Sequence, residues 1–392
     1  MTQHTHPVRF HGRTGEYFGI WIVNILLSIV TLGIYSAWAK VRTKRYFYGN
    51  TELAGDRFDY LATPLQILIG RVISIAILLA WFWLNSFEPV AALVILFLFF
   101  ALFPILMVRN LRFDMRMTLF RNVRFDFDQA YWEAYIAYLI KPIGAYIAMF
   151  IALFVVVFAS EFSPAVGGLL GVVAICVGGP YLFGWVTKGM SQFVVDHLRY
   201  GERAFSAQLR SDVYAMIAVK TMLFAIAVFV LVFGGGALVA WGLGVDEMIV
   251  NSLANFSEPE AATQLGMDFF VGMVLFYALF GLASFLVHGY YAALARNYLF
   301  SRTSLGDDLQ LSSSMGPIAF GVLEFTNLLG VLFTLGLAQP WAKIRKARFL
   351  CNATYVEGDL EALRVRDTAG TQDSAVADEL TQALDLDIGV FG

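Results

Sequence analysis

Six stretches of this chain, near residues 65 to 86, 89 to 108, 134 to 158, 165 to 187, 214 to 241 and 267 to 290, run apolar over the length of a bilayer crossing. Spanning about 30 Å of hydrocarbon takes roughly 20 mostly apolar residues. The reading is an α-helical polytopic membrane protein with six full spans. Composition agrees, at 59% hydrophobic, 15% charged and a mean hydropathy of +0.68; a soluble domain is nearer half apolar and a quarter charged. Two further segments, 16 to 37 and 315 to 340, are apolar but broken. No cleavable signal peptide is visible in the polar opening MTQHTHPVRFHGRTG, so targeting rests on the spans. Cys176 inside a span and Cys351 beside a basic run cannot make a disulfide framework and read as structural.

The charges orient the spans. All 27 Lys and Arg fall in the N-terminal tail, in 40 to 57, 109 to 124, 188 to 210, 296 to 302 and 343 to 366, or at the adjoining helix starts. The loops NSFEP, ASEFSPA and the acidic GVDEMIVNSLANFSEPEAATQLGMD carry none. By the positive-inside rule the basic segments and both termini face the cytoplasm. Trp38, Trp132, Trp185 and Trp341 then sit at the basic interface and Trp81, Trp83 and Trp241 at the other, as an aromatic belt.

TLGIYSAWAKVRTKR begins at Thr31 and TLGLAQPWAKIRKAR at Thr334, and the gapless match extends from Asn24–Asp56 onto Asn327–Asp359. A looser internal repeat covers the rest. Short alternating stretches precede the apolar helices: RFHG (9 to 12), YFYGNTELAGDRFDY (46 to 60), LFRNVRFDFDQAY (119 to 131), FVVDHLRYGERAFSA (193 to 207), LFSRTSLGDDLQLSS (299 to 313) and FLCNATYVEGDLEAL (349 to 363). Alternation around Gly-Asp or Asn turn signals is hairpin chemistry. The unit is hairpin, helix out, helix back, which predicts a cytoplasmic layer of β-hairpins. Such a layer hides its sticky edges if its strands pair into a closed or stacked sheet.

Parity bears on the two broken segments. The strand-like RFHG precedes the first and KVRTKR follows it, while LQLSS precedes the second and KIRKAR follows it, so a full crossing by either would put a basic hairpin outside. The economical solution is that each dips in as a helix, turns at Thr-Leu-Gly and returns through IYSAW or LAQPW; interfacial helices or an external tail are the alternatives. Irregular backbone at membrane depth is tolerated only inside protein or beside a wet cavity, and paired interrupted segments point to transporter sites.

One polar residue per unit recurs at a similar distance past the last strand position: Asn24, Arg71, Lys141, Lys220 and Glu324. Helix rise puts them on the order of 10 to 15 Å deep. Ionisable groups at that depth usually face a bundle interior; the competing account is that the cations snorkel to the headgroups. An inward ring of three cations and one carboxylate would accept an anion, either a lipid headgroup or a solute.

Other chemistry is sparse. His4, His6 and His11 lie in a polar arm with no zinc spacing, and His197, in the slot equivalent to Asn50, and His288 have no nucleophile partner. No phosphate loop, HExxH or GxSxG is present. GGLLG at 167 to 171 and GGG at 234 to 236 read as close helix contacts. The acidic tail from Asp367 reads as flexible, with a short helix over Ser374 to Leu386. Asp378, Glu379, Asp385 and Asp387 would then dock on the basic ring.

FHGRTGEYFGIWIVN, the TLGIYSAWAKVRTKRYFYGNTELAGDRFDY block with its C-terminal echo, and the terminal ALDLDIG resemble the YjgN family of bacterial inner-membrane proteins, a family classed by an uncharacterised domain. The resemblance covers nearly the whole chain. It implies a bacterial inner membrane and carries no activity or site residues. Cys351 and Ala353 stand in the echo where the block has Tyr48 and Asn50, a departure that argues against equal roles for the two hairpins.

The resulting organisation is a tail and strand (1 to 15), a first re-entrant segment and hairpin (16 to 61), a six-span core (62 to 314), a second re-entrant segment and hairpin (315 to 363) and the acidic tail (364 to 392). The expected function is an inner-membrane channel or transporter for an anionic or amphiphilic small molecule or lipid. Its path is Asn24, Arg71, Lys141, Lys220, Glu324 and Asn327, with Thr31, Gly33, Thr334, Gly336 and Pro340 as gate or turn. Trp38, Lys40, Arg42, Arg45, Trp341, Lys343, Arg345 and Arg348 are the expected interfacial lipid contacts. The alternative is a non-transporting scaffold or anionic-lipid-binding protein. No enzymatic activity, metal, cofactor or nucleic acid is expected; the partners are membrane lipids with anionic headgroups, and a homo-oligomer stays open. Cysteines placed at Thr5 and Thr371 should label from the same side of the membrane, and labelling from opposite sides defeats the two-dip arrangement.

Overall fold

The computed structural model describes residues 5–242, 247, 250, 254 and 259–360; the acidic tail and most of the long acidic loop lie outside them. The chain forms two compact units. The first takes residues up to Ala215, Arg296–Met315 and the chain from Gln339; the second takes Met216–Ala295 and Gly316–Ala338.

The first unit corrects the expected layer of hairpins. Ten strands, β1 (Thr5–Phe10), β2 (Thr51–Leu53), β3 (Asp56–Tyr60), β4 (Thr118–Phe120), β5 (Val123–Phe127), β6 (Leu198–Tyr200), β7 (Arg203–Ala207), β8 (Thr303–Leu305), β9 (Leu309–Ser313) and β10 (Thr354–Gly358), form one closed antiparallel barrel. Four tight hairpins supply β2 to β9. The ring closes through β1, whose first half pairs with β10 (His6 opposite Val356) and whose second half pairs with β2 (Arg9 opposite Glu52). The expected last hairpin at 349 to 363 is therefore a single strand, because 349 to 352 continue a helix and the partner comes from the other end of the chain. Closure is favoured physically because an open row would leave two edges of unpaired backbone groups.

Period-2 alternation fills the barrel. Leu53, Phe120, Val123, Tyr200, Leu305, Leu309, Val356 and Leu360 form a buried cluster, with Val8, Phe58, Phe125 and Phe205 packed on it. Phe58 stacks on Phe120 at 4.7 Å, and the Tyr200 hydroxyl donates to the Phe120 carbonyl at 2.9 Å. Burial pushes that phenol up to about 12, so it stays a neutral donor. The interior is a packed core.

Each hairpin hangs from helices: α1 (Thr14–Val30), α2 (Ser36–Gly49), α3 (Pro64–Phe87), α4 (Pro89–Arg116), α5 (Tyr131–Phe162), α6 (Pro164–Asp196), α7 (Ser211–Val239), α8 (Pro259–Ser301), α9 (Pro317–Phe333) and α10 (Gln339–Asn352). Six of them, α3 to α8, contain stretches long and apolar enough to cross a membrane, and no more than 17% of the most apolar stretch of any is buried inside the protein. That much exposed apolar surface needs a non-aqueous surround. The switch from helix to strand recurs with one device. The hydroxyls of Thr51, Thr118, Thr303 and Thr354 each donate to a helix carbonyl four residues back, at 2.7–2.9 Å. β6 starts with Leu198, and there the His197 ring lies 2.8 Å from the Phe193 carbonyl instead.

In the second unit α7, α8 and α9 pack through aromatic pairs, Phe224 on Tyr290 at 4.3 Å and Phe285 near Phe325 at 6.2 Å. Gly289 and Gly321 let α8 and α9 approach until any added Cβ would meet backbone. In the first unit GGLLG makes one such contact, where Gly167 faces Ser160. GGG makes none of that closeness: Gly234 and Gly235 face open space, and Gly236 meets Leu279 only at van der Waals distance. Gly234 ends a π-helical turn, Val230–Gly234; two more interrupt α5 at Ile136–Ile140 and α6 at Ala174–Gly178.

Each broken segment is a helix, a five-residue turn and a second helix. The first leaves the barrel at β1 and re-enters at β2; the second leaves at β9 and re-enters at β10. The two Thr-Leu-Gly turns have one geometry. Gly33 N–H donates to Ser28 O at 2.7 Å and Leu32 N–H to Ile29 O at 3.1 Å; Gly336 and Leu335 repeat this onto Val331 and Leu332 at the same lengths. This is a Schellman cap, whose left-handed position usually holds glycine. Here Leu32 and Leu335 occupy it, at φ 50° and 51°, with Gly33 and Gly336 following at 91° and 93°. The Thr31 and Thr334 hydroxyls lock the turns, each donating at 2.7 Å to the carbonyl four residues back and accepting from the amide four residues on. Left-handed leucine costs roughly 1–2 kcal/mol, and both side chains are 94% exposed. Leu32→Gly should therefore be more stable than Leu32→Ala by about 0.5–1 kcal/mol, because both lose the same exposed side chain and only glycine relieves the left-handed strain, less its entropy in the unfolded chain; thermal melts of the two variants check this.

Candidate functional site

In the first unit a cleft of about 660 Å³ is walled by α1, α2, α3 and α10. Helix periodicity builds it. Tyr17, Trp21, Asn24 and Ser28 recur at three- and four-residue spacing along one face of α1, and Lys40 and Lys44 do the same on α2. Arg71 enters from α3 and Lys343 from α10. Four cations thus surround one space, with Ile25 and Ile29 supplying apolar wall, and among the described residues no carboxylate lines it. Lys44 leans out to Asp114 at 2.6 Å. Trp21 Nε1–H donates to Gln339 Oε1 at 3.2 Å, tying α1 to α10.

Asn24 is the centre of the tie between α1 and α2. Only 5% exposed, it donates to the Ala39 carbonyl at 3.5 Å and accepts from Arg42 at 3.3 Å. Arg42 also donates to the Tyr35 hydroxyl at 3.1 Å. Arg71 donates to Ser36 Oγ, beside the Thr-Leu-Gly turn. A buried amide with its partners in place holds a helical hairpin in register, since an unpaired one costs on the order of 1–3 kcal/mol.

The structure therefore brings Asn24 and Arg71 to one cleft and distributes the other expected path residues elsewhere. Lys141, on α5, lies over the Trp185 ring at 5.8 Å, against Gly189 of α6. Lys220, Glu324 and Asn327 belong to the second unit; Lys220 is exposed on α7, and Asn327 is buried in α9 as Asn24 is in α1. Several expected lipid contacts make bonds within the protein. Arg45 donates to the Tyr60 and Ala62 carbonyls at 3.2 and 3.1 Å, pinning the start of α3, and Arg348 donates to the Gly12 carbonyl at 3.1 Å, pinning the start of α1. Arg345 covers the Trp341 ring at 5.1 Å, Trp38 stacks on Tyr35 at 6.1 Å, and Pro340 is buried in the first turn of α10. Lys40 and Lys343, the same position in the two copies of the block, both line the cleft. Lys44 and Trp21 were not singled out from sequence, although Lys44 follows Lys40 by one helical turn and so shares its face.

The arrangement fits an anionic group with an apolar extension. Cations set in a cleft with low-dielectric walls act on an anion far more strongly than in bulk water, and three of the four carry flexible ammonium groups suited to a phosphate.

The pattern described for the bacterial proteins of unknown function DUF898 matches residues 5–383, from the first residue of β1 to beyond β10. Inner membrane protein YjgN of Salmonella typhimurium is 29% identical over 378 residues, covering 92% of this chain and 91% of that protein. Inner membrane protein YjgN of Escherichia coli K12 is 26% identical over 377 residues, covering 92% and 90%. No solved structure matches. With the whole barrel and all ten helices inside the matched region, the chain belongs to the DUF898 family of bacterial proteins of unknown function.

Proposed function

We propose that this chain is a multi-pass inner-membrane protein that binds the anionic headgroup of a membrane lipid in the cleft between α1, α2, α3 and α10. The carrying observation is the set Lys40, Lys44, Arg71 and Lys343 around one space beside Ile25 and Ile29. Support for the location comes from the six apolar helices and from relatives named inner membrane proteins. The basic segments and the barrel face the cytoplasm on the charge rule.

The headgroup phosphate lies between the ammonium groups of Lys40 and Lys343 and the Arg71 guanidinium, and the acyl chains run along the exposed Leu26, Ile29 and Val30 of α1. Helix rise places Lys40 and Asn24 roughly 15 Å from the barrel ends of α2 and α1, near the depth of a headgroup layer when the two hairpin turns, tipped by Leu32 and Leu335, reach into hydrocarbon. The binding reading is preferred to conduction of a solute because the barrel interior is packed with aromatic and aliphatic side chains instead of lined with polar ones.

Purified protein exchanged into nanodiscs of mixed phosphatidylglycerol and phosphatidylcholine should retain the anionic lipid selectively, as read by native mass spectrometry. Changing Lys40, Arg71 and Lys343 together to Gln removes about 1 kcal/mol per cation and should cut the preference on the order of 100-fold. Equal retention of both lipids by the unaltered protein defeats the reading, and loss of selective small-anion flux in the same variant would favour transport instead.

A further inference from the structure

A second cavity, of about 580 Å³, sits at the barrel rim and shares no lining residue with the first cleft. Lys188, Gln192 and Asp196 line it from one face of α6; Arg210 comes from the link between β7 and α7, and Arg302 from the link between α8 and β8. Its walls are polar, whereas the first cleft has apolar ones.

Three of these residues are occupied in holding the rim together. Gln192 Nε2–H donates to Asp196 Oδ2 at 2.6 Å, the Ala207 amide donates to Asp196 Oδ1 at 3.1 Å, and the Leu209 amide donates to Gln192 Oε1 at 3.3 Å. Arg210 is chelated by Asp212 at 3.0 and 2.6 Å. Lys188 and Arg302 differ: among the described residues neither side chain makes a hydrogen bond or an ion pair. A third cation approaches the same stretch of α6. Lys141 packs so closely on Gly189 that an added Cβ would lie 2.6 Å from its Nζ, and the π-helical turn Ile136–Ile140 immediately precedes it. Such turns recur at functional sites because they re-aim the side chains that follow.

We propose that this cavity is a separate anion site that takes a phosphate group between Lys188 and Arg302. A planar guanidinium fork and a mobile ammonium are the two donor types that grip phosphate oxygens. Asp196 also lines the cavity, with its oxygens turned to the Gln192 amide and the Ala207 N–H, and its charge is outnumbered by the cations Lys188 and Arg302. The polar walls exclude acyl chains, so the phosphate arrives either on a soluble phosphomonoester or on a headgroup whose chains stay outside the cavity.

The test uses the full chain in detergent, with inorganic phosphate titrated against chloride at constant ionic strength and unfolding followed by tryptophan fluorescence. Phosphate should raise Tm where chloride does not. Every arm is run on Lys40→Gln with Lys343→Gln, which disables the first cleft; on that background phosphate should still raise Tm, and adding Arg302→Gln should weaken the apparent affinity about tenfold. In parallel, nanodiscs of phosphatidylcholine with or without phosphatidic acid report the membrane source; stabilisation there but not by free phosphate, again lost in Arg302→Gln, identifies a headgroup. Arg302 is exposed and its side chain makes no hydrogen bond or ion pair among the described residues, so that variant decides the matter even if Lys188→Gln fails to fold. The proposal is overturned if neither phosphate nor phosphatidic acid stabilises the Lys40→Gln, Lys343→Gln protein, or if that stabilisation persists undiminished when Arg302→Gln is added.

Discussion

Strands of three to five residues cannot hold a sheet by themselves, and nine of the ten strands among the described residues are that short. Each makes only a few ladder bonds, and a lone hairpin in water is marginal at best. What makes the set stable is that β1 pairs on both sides, half with β10 and half with β2, so that no edge is left. Once the ring is closed, every inward residue has neighbours in both directions and the aromatic cluster around Tyr200 fills the space. The helices inherit their places from that ring. Their ends are fixed at the rim by Thr hydroxyls at four of the five helix-to-strand switches and by a histidine ring at the fifth.

The same rim positions both cavities. The first cleft exists because α1 and α2 leave and re-enter the barrel as neighbours, while α10, arriving from the far end of the chain, packs beside α1. The second exists because β7 and β8 are paired, which sets Arg210 and Arg302 on adjacent links above one face of α6. In each case a helix repeat supplies the face and strand pairing supplies the cation from a distant part of the sequence. The two cavities differ in wall chemistry, one amphiphilic and one polar.

Local signals in the sequence carry the architecture a long way. Apolar length marks the six membrane-length helices, Gly-Asp, Asn and Gly-Glu turns mark the four tight hairpins, and Thr-Leu-Gly marks two caps whose paired N–H bonds have the same lengths. Closure is different, because His6 and Val356 meet with no turn between them and β1 carries only a short alternating pattern interrupted by Pro7. Arg45 and Arg348 illustrate a second limit. As basic residues near an interface they resemble lipid contacts, yet their guanidinium groups are taken up by backbone carbonyls at the starts of helices. Composition distinguishes a cation from a neutral residue, but only the fold decides whether it faces lipid, solvent or a carbonyl. Lys40 and Lys343 were visible as paired residues of a repeated block; that they share one space was not.

Ring closure also sets an order of events during synthesis. β1 leaves the ribosome before the other strands and β10 after them, so all six apolar helices emerge before β1 can find its second partner. Until then the chain carries an incomplete barrel with two open strand edges, the species most prone to pairing with a neighbouring copy. Lys343 and Arg302 come from the same late stretch. The second cavity has all its lining residues once Arg302 has emerged, and the first cleft only once Lys343 of α10 has, so the polar site is assembled before the amphiphilic one.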